Sequence, residues 1–126
     1  MASPRTRRRE PPKRGEVYLA DLDPTVGKEQ HGKRPFLVLS IGGMNGAPAE
    51  LVIGLPLTTA DWSSNLHVRI GPDQSGLPRV SYAMPEMIRS VSILRFGRRI
   101  GRVPLETVET AAARSGYLTG LGKIRV

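Results

Sequence analysis

Apolar residues in this chain come in short runs that are separated by glycine, proline and polar residues. The run at residues 36–39 is apolar at every position, which predicts a central strand that is buried on both faces. In the run at residues 51–57, Gly54 and Pro56 favour a bulge or a bend over a straight ladder. Further strands are predicted at residues 16–22, 67–70, 80–84 and 88–94. Short strands with no long helix between them favour a small barrel or sandwich over a parallel α/β sheet.

The pattern changes near the C-terminus, where apolar and small residues recur at steps of three and four. Pro104 suits the first turn of a helix, and Gly120 and Gly122 are placed to end it. The face that we expect to contact the barrel carries Leu105, Val108, Ala112, Ser115 and Leu118. The sequence therefore predicts one C-terminal helix that caps a mainly β domain.

The composition is typical of one small globular domain. The chain has 126 residues, of which 39% are hydrophobic and 24% charged, so we expect a single core. No run approaches the roughly 18 apolar residues of a membrane helix, and no apolar segment follows the basic N-terminus as a secretory signal requires. We therefore expect a soluble, cytoplasmic protein without a membrane partner. The chain has no cysteine, and its two histidines, His31 and His67, are far apart in sequence. We therefore expect no metal site and no cofactor.

The formal charge of +8 points to a polyanionic partner, because Lys and Arg release counterions from phosphates. Residues 1–14 carry six basic side chains against Glu10 alone, which places +5 of this charge at the N-terminus. We interpret residues 1–13 as a basic leader that is disordered until a partner binds, and residues 14–126 as the single folded domain. The leader is interpreted either as a solubilising segment or as a nucleic-acid arm.

The stretch at residues 27–36 places polar side chains directly before the buried strand. Pro35 restricts the backbone of Arg34, so a guanidinium is held at the rim of the strand. This planar fork of donors matches phosphate oxygens and stays charged. Glu29, His31 and Lys33 are close in sequence. The same pattern also suits a solvated loop in which Arg34 pairs with Glu29.

Three other positions carry candidate chemistry. Thr58 and Thr59 stand at the end of an apolar run, where hydroxyls bind phosphate or simply cap a turn. Arg89 interrupts an apolar segment, as a surface residue of a strand often does. The segment at residues 95–102 contains four arginines and Phe96, which suits either an RNA backbone with a stacked base or a solvated hairpin tip.

Read in order, these stretches resemble the N-terminal signature of the MazF/PemK (Kid) family of toxin endoribonucleases. The signature runs Arg-Gly-x-Val from Arg14, Asp-x-Asp-Pro-x-x-Gly-x-Glu-Gln from Asp21 and Gly-x-Arg-Pro from Gly32. "PLTT" at residues 56–59 and "VSYAMPEMIRSVS" at residues 80–92 resemble later family motifs in the expected order. The resemblance covers residues 13–120 and leaves out the arginine-rich leader.

The resemblance implies an SH3-like small barrel of the CcdB/Kid/MazF type with a C-terminal helix, acting as a homodimer. It also implies a sequence-specific, metal-independent endoribonuclease that cuts single-stranded RNA and thereby inhibits translation and growth. In the family, the ribose 2′-hydroxyl attacks the adjacent phosphate and leaves a 2′,3′-cyclic phosphate and a 5′-hydroxyl. The implied partner is a cognate acidic antitoxin of the MazE type, whose binding the basic surface would favour.

Residue by residue, the family's loop arginine corresponds to Arg34 and its strand-end threonine to Thr58, which gives both a catalytic role. Arg34 would stabilise the phosphorane-like transition state, and a role as acid or base is chemically awkward because a guanidinium rarely gives up its proton. Glu29 matches an acidic loop position and would serve as base or orient Arg34. The family match is weaker at His31, which is a candidate for catalysis or RNA contact. The residues implied in RNA binding are Lys33, Thr59 and Arg89.

Two other function classes fit the residues less well. CcdB toxins share the implied fold and inhibit DNA gyrase through a tryptophan near their C-terminus, whereas Trp62, the only tryptophan here, lies in a mid-chain loop. A barrel that binds RNA without cutting it is the second alternative. Base readout is expected from the loops around residues 42–49 and 61–67, and their sequences do not identify the cleavage motif.

Overall fold

The computed structural model describes residues 10–23, 27, 32–45, 48 and 50–121. In these ranges, seven strands alternate with short helices and one long helix. The strands are β1 (Glu16–Asp21), β2 (Lys33–Val38), β3 (Leu51–Thr58), β4 (Val68–Ile70), β5 (Ser81–Ala83), β6 (Arg89–Ser92) and β7 (Phe96–Arg102). The helices are α1 (Gly42–Asn45), α2 (Pro72–Ser75) and α3 (Leu105–Leu118), and 3₁₀ turns span Pro85–Met87 and Ile93–Arg95.

The strands form one curled antiparallel sheet, a half-barrel. Its order is β4-β5-β3-β2-β1-β7, and β6 pairs with the free edge of β3. The mainly β architecture with a C-terminal helix that the pattern predicts is confirmed. No described helix combines the length and the apolar character that crossing a membrane requires.

Apolar side chains pack into two clusters on opposite faces of this sheet. Successive residues of a strand point to opposite faces, so Leu37 enters the first core while Phe36 and Val38 enter the second. All three side chains are fully buried, which confirms a central strand covered on both sides. Helix α3 closes the first core with Val108 and Ala111. The second core is made by Tyr18, Ala20, Leu22, Phe36, Val38, Val52, Val91 and Phe96.

The expected irregularity of β3 is a change of partner strand. Along one edge, β3 pairs with β6 over Leu51–Gly54 and with β5 over Leu57–Thr58, while its register with β2 stays regular. Gly54 is required at the crossover because a Cβ there would lie 2.1 Å from the carbonyl oxygen of Leu37. The close approach of β2 and β3 therefore depends on the missing side chain.

The arginine-rich segment at residues 95–102 is neither a hairpin tip nor a base-stacking surface. It forms β7, the edge strand that pairs with β1. Phe96 is buried in the second core and stacks on Tyr18 with ring centroids 5.1 Å apart. The prediction that Phe96 stacks a base is wrong, because burial beside the apolar partners of β1 outweighs the charged sequence context.

Helix α3 forms where it was predicted, but the buried face is shifted by part of a turn. Its buried residues are Val108, Ala111 and Ser115, whereas Leu105 is 64% and Leu118 42% exposed. Ala111 rather than Ala112 contacts the sheet, since the helix axis is set by packing against the 3₁₀ turn Pro85–Met87 and β4. Part of the apolar helix surface is therefore left uncovered within the described chain.

Candidate functional site

The register of the sheet aligns polar residues from four neighbouring strands. Arg34 pairs with Ala20, and the β2–β3 ladder ends at the pair Phe36–Pro56, so Arg34 and Thr58 each lie two residues beyond that pair, on the same face of neighbouring strands. On the other edge of β3, Thr58 pairs with Tyr82, which in turn pairs with Arg69. Paired strands lie about 4.8 Å apart, so Arg69, Tyr82 and Thr58 span about 10 Å, and Arg34 on β2 completes a polar row of four residues.

All four residues of this polar row lie on the face of the sheet that carries the second core. Leu57, Ala83 and Val68, which alternate with them along β3, β5 and β4, point into the first core on the other side. The face is therefore apolar and covered over one half of the sheet and polar over the other half. Arg34 is half-buried at the border between the two halves.

The hydroxyl of Thr58 is held in a fixed position at the end of β3. Its side chain is only 7% exposed, and its Oγ1 accepts a hydrogen bond from the backbone N–H of Ala60 at 3.1 Å. A hydroxyl has one hydrogen to donate as well as lone pairs to accept. Thr58 therefore caps the turn and still offers a donor on the polar face. Thr59 is exposed, and its Oγ1 accepts a hydrogen bond from Arg79 at 3.3 Å.

Backbone and side-chain hydrogen bonds close the base of the loop between β1 and β2. We call the residues at this base the loop neck (Asp21, Leu22, Asp23 and Gly32). Leu22 N–H donates to the carbonyl of Gly32 at 2.9 Å, and Gly32 N–H donates to Asp23 Oδ1 at 3.0 Å. The φ of +76° at Gly32 suits a glycine. Glu29 and His31, two candidates from the sequence, lie outside the described residues.

Two arginines that are distant in sequence, Arg89 of β6 and Arg95 of the 3₁₀ turn before β7, hold the loop neck. Arg89 donates from Nη1 to the carbonyl of Leu22 at 3.4 Å, and Arg95 donates to the carbonyls of Asp21, at 3.2 Å, and Asp23. Arg89 was expected to bind RNA, and here its half-buried guanidinium is engaged with the backbone beside Arg34's strand. The loop next to the polar row is thus anchored by side chains that lie more than 60 residues away in sequence.

Lys33, also expected to contact RNA, is exposed at the start of β2. It lines a surface cavity of about 200 Å³ together with Asp21 of the loop neck, Arg95 and Phe96. Lys33 and Arg34 are successive residues of β2, so their side chains leave opposite faces of the sheet.

The sequence did not reveal a hydrogen bond between buried His67 and Glu86 near the end of the polar row. His67 is 7% exposed, and its Nε2 lies 2.6 Å from Glu86 Oε2. Arg114 of α3 donates to the carbonyl of His67 at 2.7 Å, which ties the loop before β4 to the helix. The separation of 19 positions hid this contact, because no local pattern connects His67 and Glu86. In the described chain, no three His, Asp or Glu side chains cluster as metal ligands do.

Sequence reasoning also missed Arg69 and Tyr82. The alternation of Val68, Arg69 and Ile70 already placed Arg69 opposite to the core. Only the strand pairing shows that this face continues through Tyr82 to Thr58 and Arg34. The arrangement combines two guanidinium groups, the buried hydroxyl of Thr58 and an aromatic ring, a set that suits a phosphodiester chain.

Comparison with known proteins places these residues in a family. Residues 13–114 match the family model described as PemK-like, MazF-like toxin of type II toxin-antitoxin system. The chain is 34% identical over 98 residues to the endoribonuclease EndoA of Bacillus subtilis, covering 77% of this chain and 84% of EndoA. The resemblance to this family that the motifs indicate is confirmed.

Solved structures carry the same fold. A MazF structure from Deinococcus radiodurans superposes with a TM-score of 0.78 at 24% identity, covering 87% of this chain and 97% of that one. An endoribonuclease from a mycobacterial species in complex with its cognate antitoxin superposes with a TM-score of 0.69 at 26% identity, covering 90% of this chain and 97% of that one. The expected MazF-type barrel is thereby confirmed.

Proposed function

The chain belongs to the PemK-like, MazF-like toxins of type II toxin-antitoxin systems, and from this membership we propose that it is a cytoplasmic endoribonuclease that cuts single-stranded RNA at short sequences without a metal. The observation that carries the proposal is that Arg34 and Thr58 lie on the same face of the neighbouring strands β2 and β3. These are the residues for which the family resemblance implies catalysis. They occupy one face, where a phosphodiester can reach both.

The proposed reaction is a transesterification at phosphorus. The ribose 2′-oxygen bonds to phosphorus while the bond to the 5′-oxygen breaks, which leaves a 2′,3′-cyclic phosphate and a 5′-hydroxyl. One proton passes from the 2′-hydroxyl to a base, and one reaches the departing 5′-oxygen from an acid. Negative charge builds on the nonbridging oxygens in the transition state. Fixed donors aimed at these oxygens lower the barrier because they need no reorganisation.

Arg34 and Thr58 are proposed to supply these donors. The guanidinium of Arg34 offers two parallel N–H groups to the nonbridging oxygens, and the hydroxyl of Thr58 donates a hydrogen bond to the same phosphate. Glu29 is proposed as the base or as the partner that orients Arg34, and His31 as a candidate for proton transfer or RNA contact. Lys33 and Thr59 are proposed to contact the RNA backbone, and Arg89 to add charge while it holds the loop neck.

The proposal predicts cleavage by the purified protein alone. A long unstructured transcript incubated in EDTA should yield a limited set of fragments whose 5′ ends accept phosphate from polynucleotide kinase without prior dephosphorylation. The same preparation of Arg34→Ala controls for contaminating nuclease. Intact RNA that is retarded in a gel would instead support a barrel that only binds RNA, and random degradation would contradict sequence specificity.

A homodimer is proposed through the uncovered apolar surface next to α3. A surface cavity of about 270 Å³ is lined by Leu39, Ile53, Ile88, Ala112 and Gly116, among others. Ile88 is 40% and the neighbouring Ile41 66% exposed, and such apolar area is costly to leave in water. Light scattering should therefore give twice the chain mass of 13.7 kDa, and Ile88→Asp should lower it. A monomer at every concentration tested would contradict this interface.

The proposed partner is an acidic antitoxin, because a similar endoribonuclease was solved in complex with its cognate antitoxin. An acidic segment laid along Arg69 and Arg34 would cover the polar row and exclude RNA. The affinity should fall with added salt, since exposed charges are screened. Titration calorimetry of the two proteins at low and high ionic strength measures this, and a salt-independent affinity would contradict an electrostatic contact.

A further inference from the structure

We propose that Trp62 is the platform on which one unpaired base of the RNA stacks, next to the phosphate bound by Thr58. The inference rests on the proposed function, and it assigns a role to a side chain that the cleavage chemistry does not use. Trp62 is the only tryptophan of the chain and is 53% exposed. It lies in the loop between β3 and β4, four residues after Thr58.

The exposure of Trp62 is unusual among the aromatic residues of this protein. Phe36, Phe96 and Tyr18 are buried in the second core, and Tyr82 is half-buried in the polar row. Tyr117 is the other exposed ring, and it lies on α3. Trp62 is thus the exposed aromatic residue in the loop that follows β3, the strand of Thr58. A loop position with no structural need for a large ring normally carries a polar residue.

The ring of Trp62 contacts the ring of the buried residue His67. Its centroid lies 5.4 Å from that of His67, with the two planes tilted by 46°. His67 is itself fixed, because Nε2 contacts Glu86 Oε2 at 2.6 Å and Arg114 holds the His67 carbonyl at 2.7 Å. His67 is therefore a fixed neighbour of the indole, and Trp62 remains 53% exposed to solvent.

The loop that carries Trp62 is organised before any ligand binds. Ser63 N–H donates to Asp61 Oδ1 at 2.9 Å, and Leu66 N–H donates to Ser64 Oγ at 3.1 Å. Ser63 has a φ of +54°, a left-handed conformation that serine rarely adopts. The two side-chain turns and the left-handed backbone of Ser63 together fix the conformation of the loop. A preorganised aromatic ring loses little entropy when a base stacks on it.

A purely structural role explains the same features less completely. If Trp62 only shielded His67, an apolar side chain at position 67 would fold better, because His67 Nδ1 is buried without a hydrogen-bond partner in the described chain. The hydrogen bond between His67 Nε2 and Glu86 instead holds the imidazole next to the indole, and Nδ1 is left unpaired at a cost in free energy. The indole of Trp62 stays exposed beside His67, an arrangement that suits binding a ligand better than filling the core.

Stacking on Trp62 would control position rather than base identity. Every base has a π face, so stacking on an aromatic ring tolerates all four. A base held at Trp62, with its phosphate near Thr58 and Arg79 donating to Thr59, would set which phosphodiester lies beside Arg34. Trp62 is therefore expected to affect substrate affinity and the fidelity of the cleavage position.

The sole tryptophan makes the proposal directly measurable. The wild-type protein is titrated with a fully 2′-O-methylated oligonucleotide that spans the mapped cleavage site and that cannot be cut because its 2′-oxygens are blocked. Intrinsic fluorescence should be quenched with the same midpoint that the anisotropy of a labelled oligonucleotide gives. A series with one abasic nucleotide at each position should lose the quenching at a single position.

Variants test the contribution to affinity. Trp62→Leu should weaken binding by roughly 5- to 150-fold, the range expected for the loss of one base–aromatic stack, whereas Trp62→Phe should stay within a few-fold of wild type. Leu94→Ala, which removes an 85% exposed side chain elsewhere, is the control and should bind as wild type. If Trp62→Leu fails to fold, the abasic series and Trp62→Phe still decide the question.

The outcomes separate this proposal from the proposed function. Binding seen by anisotropy with unchanged tryptophan fluorescence, or wild-type affinity of a folded Trp62→Leu, would overturn the stacking role and leave the endoribonuclease intact. Absence of RNA binding and cleavage by the wild type would overturn the proposed function and with it this inference.

Discussion

Replacing Arg34 with alanine is expected to slow RNA cleavage about a hundredfold to a thousandfold, the effect typical of removing one preorganised donor from a transition-state oxyanion. Arg34 is half-buried at the border of the second core and Pro35 restricts its backbone, so we expect its side chain to need little rearrangement when RNA binds. Arg34→Lys keeps the charge but loses the planar fork, and we expect an intermediate rate. The rates are measured in single turnover with a labelled oligonucleotide at saturating protein, so that binding does not limit them.

The control for this prediction is a double-mutant cycle that combines Arg34→Ala with Thr58→Val. If Arg34 and Thr58 hold the same phosphate, the double variant should be less impaired than the product of the two single effects predicts. Circular dichroism of each variant must match wild type, because the rate comparison assumes an intact fold. An Arg34→Ala protein that cuts at the wild-type rate would remove Arg34 from the mechanism.

Replacing Phe36 with alanine is expected to lower the free energy of unfolding by about 3–5 kcal/mol, as large truncations of buried aromatics do. Phe36 is fully buried in the second core, and its ring lies 5.8 Å from that of Phe96. Phe36 also lies two residues from Arg34 on the same face of β2, so loss of its ring leaves a cavity on the face that carries Arg34. The shift of the urea midpoint at constant slope measures the effect.

A loss of this size is comparable to the whole stability of many small domains, so Phe36→Leu provides a milder second test. Leucine keeps most of the apolar volume, and its cost should be clearly smaller than that of alanine. Leu94→Ala, at an 85% exposed position, should stay within about 0.5 kcal/mol of wild type. Equal stabilities of Phe36→Ala and wild type would contradict the packing of the second core.

Local patterns predicted most of the strands because burial alternates along them. The unbroken apolar run at residues 36–39 required a strand covered on both faces, and β2 meets that requirement with Phe36 and Leu37 in opposite cores. The position of α3 also followed from residue spacing. Its buried face did not, because the choice between Ala111 and Ala112 depends on how the helix packs against β4 and the 3₁₀ turn before β6.

The burial of Phe96 could not be predicted from its neighbours in the sequence. The four arginines at residues 95–102 left two interpretations open, an RNA contact or a solvated hairpin tip, yet residues 96–102 form a strand and Phe96 is buried against Tyr18. An aromatic ring gains more free energy from burial than its charged neighbours lose, since those side chains reach water from an edge strand. The pairing of β7 with β1 decided the outcome.

The candidate site divides in the same way. The Arg34–Pro35 step and the threonines at residues 58–59 stood out in the sequence, because proline fixes the residue before it and hydroxyls cluster at a strand end. That Arg34 and Thr58 share a face with Tyr82 and Arg69 was not readable, since strand order is a long-range property. The arginines that anchor the loop neck were equally hidden.

The sequence by itself determined the class of the fold, the two-sided burial of β2, the family and the two residues with the strongest case for catalysis. These follow from periodicity and from motifs, which are local. Only the tertiary structure decided the composition of the polar row, the use of Arg89 and Arg95 at the loop neck, and the support of Trp62 by His67. Each of these joins residues that are far apart along the chain, and such contacts are set by strand register and packing rather than by any neighbouring residue.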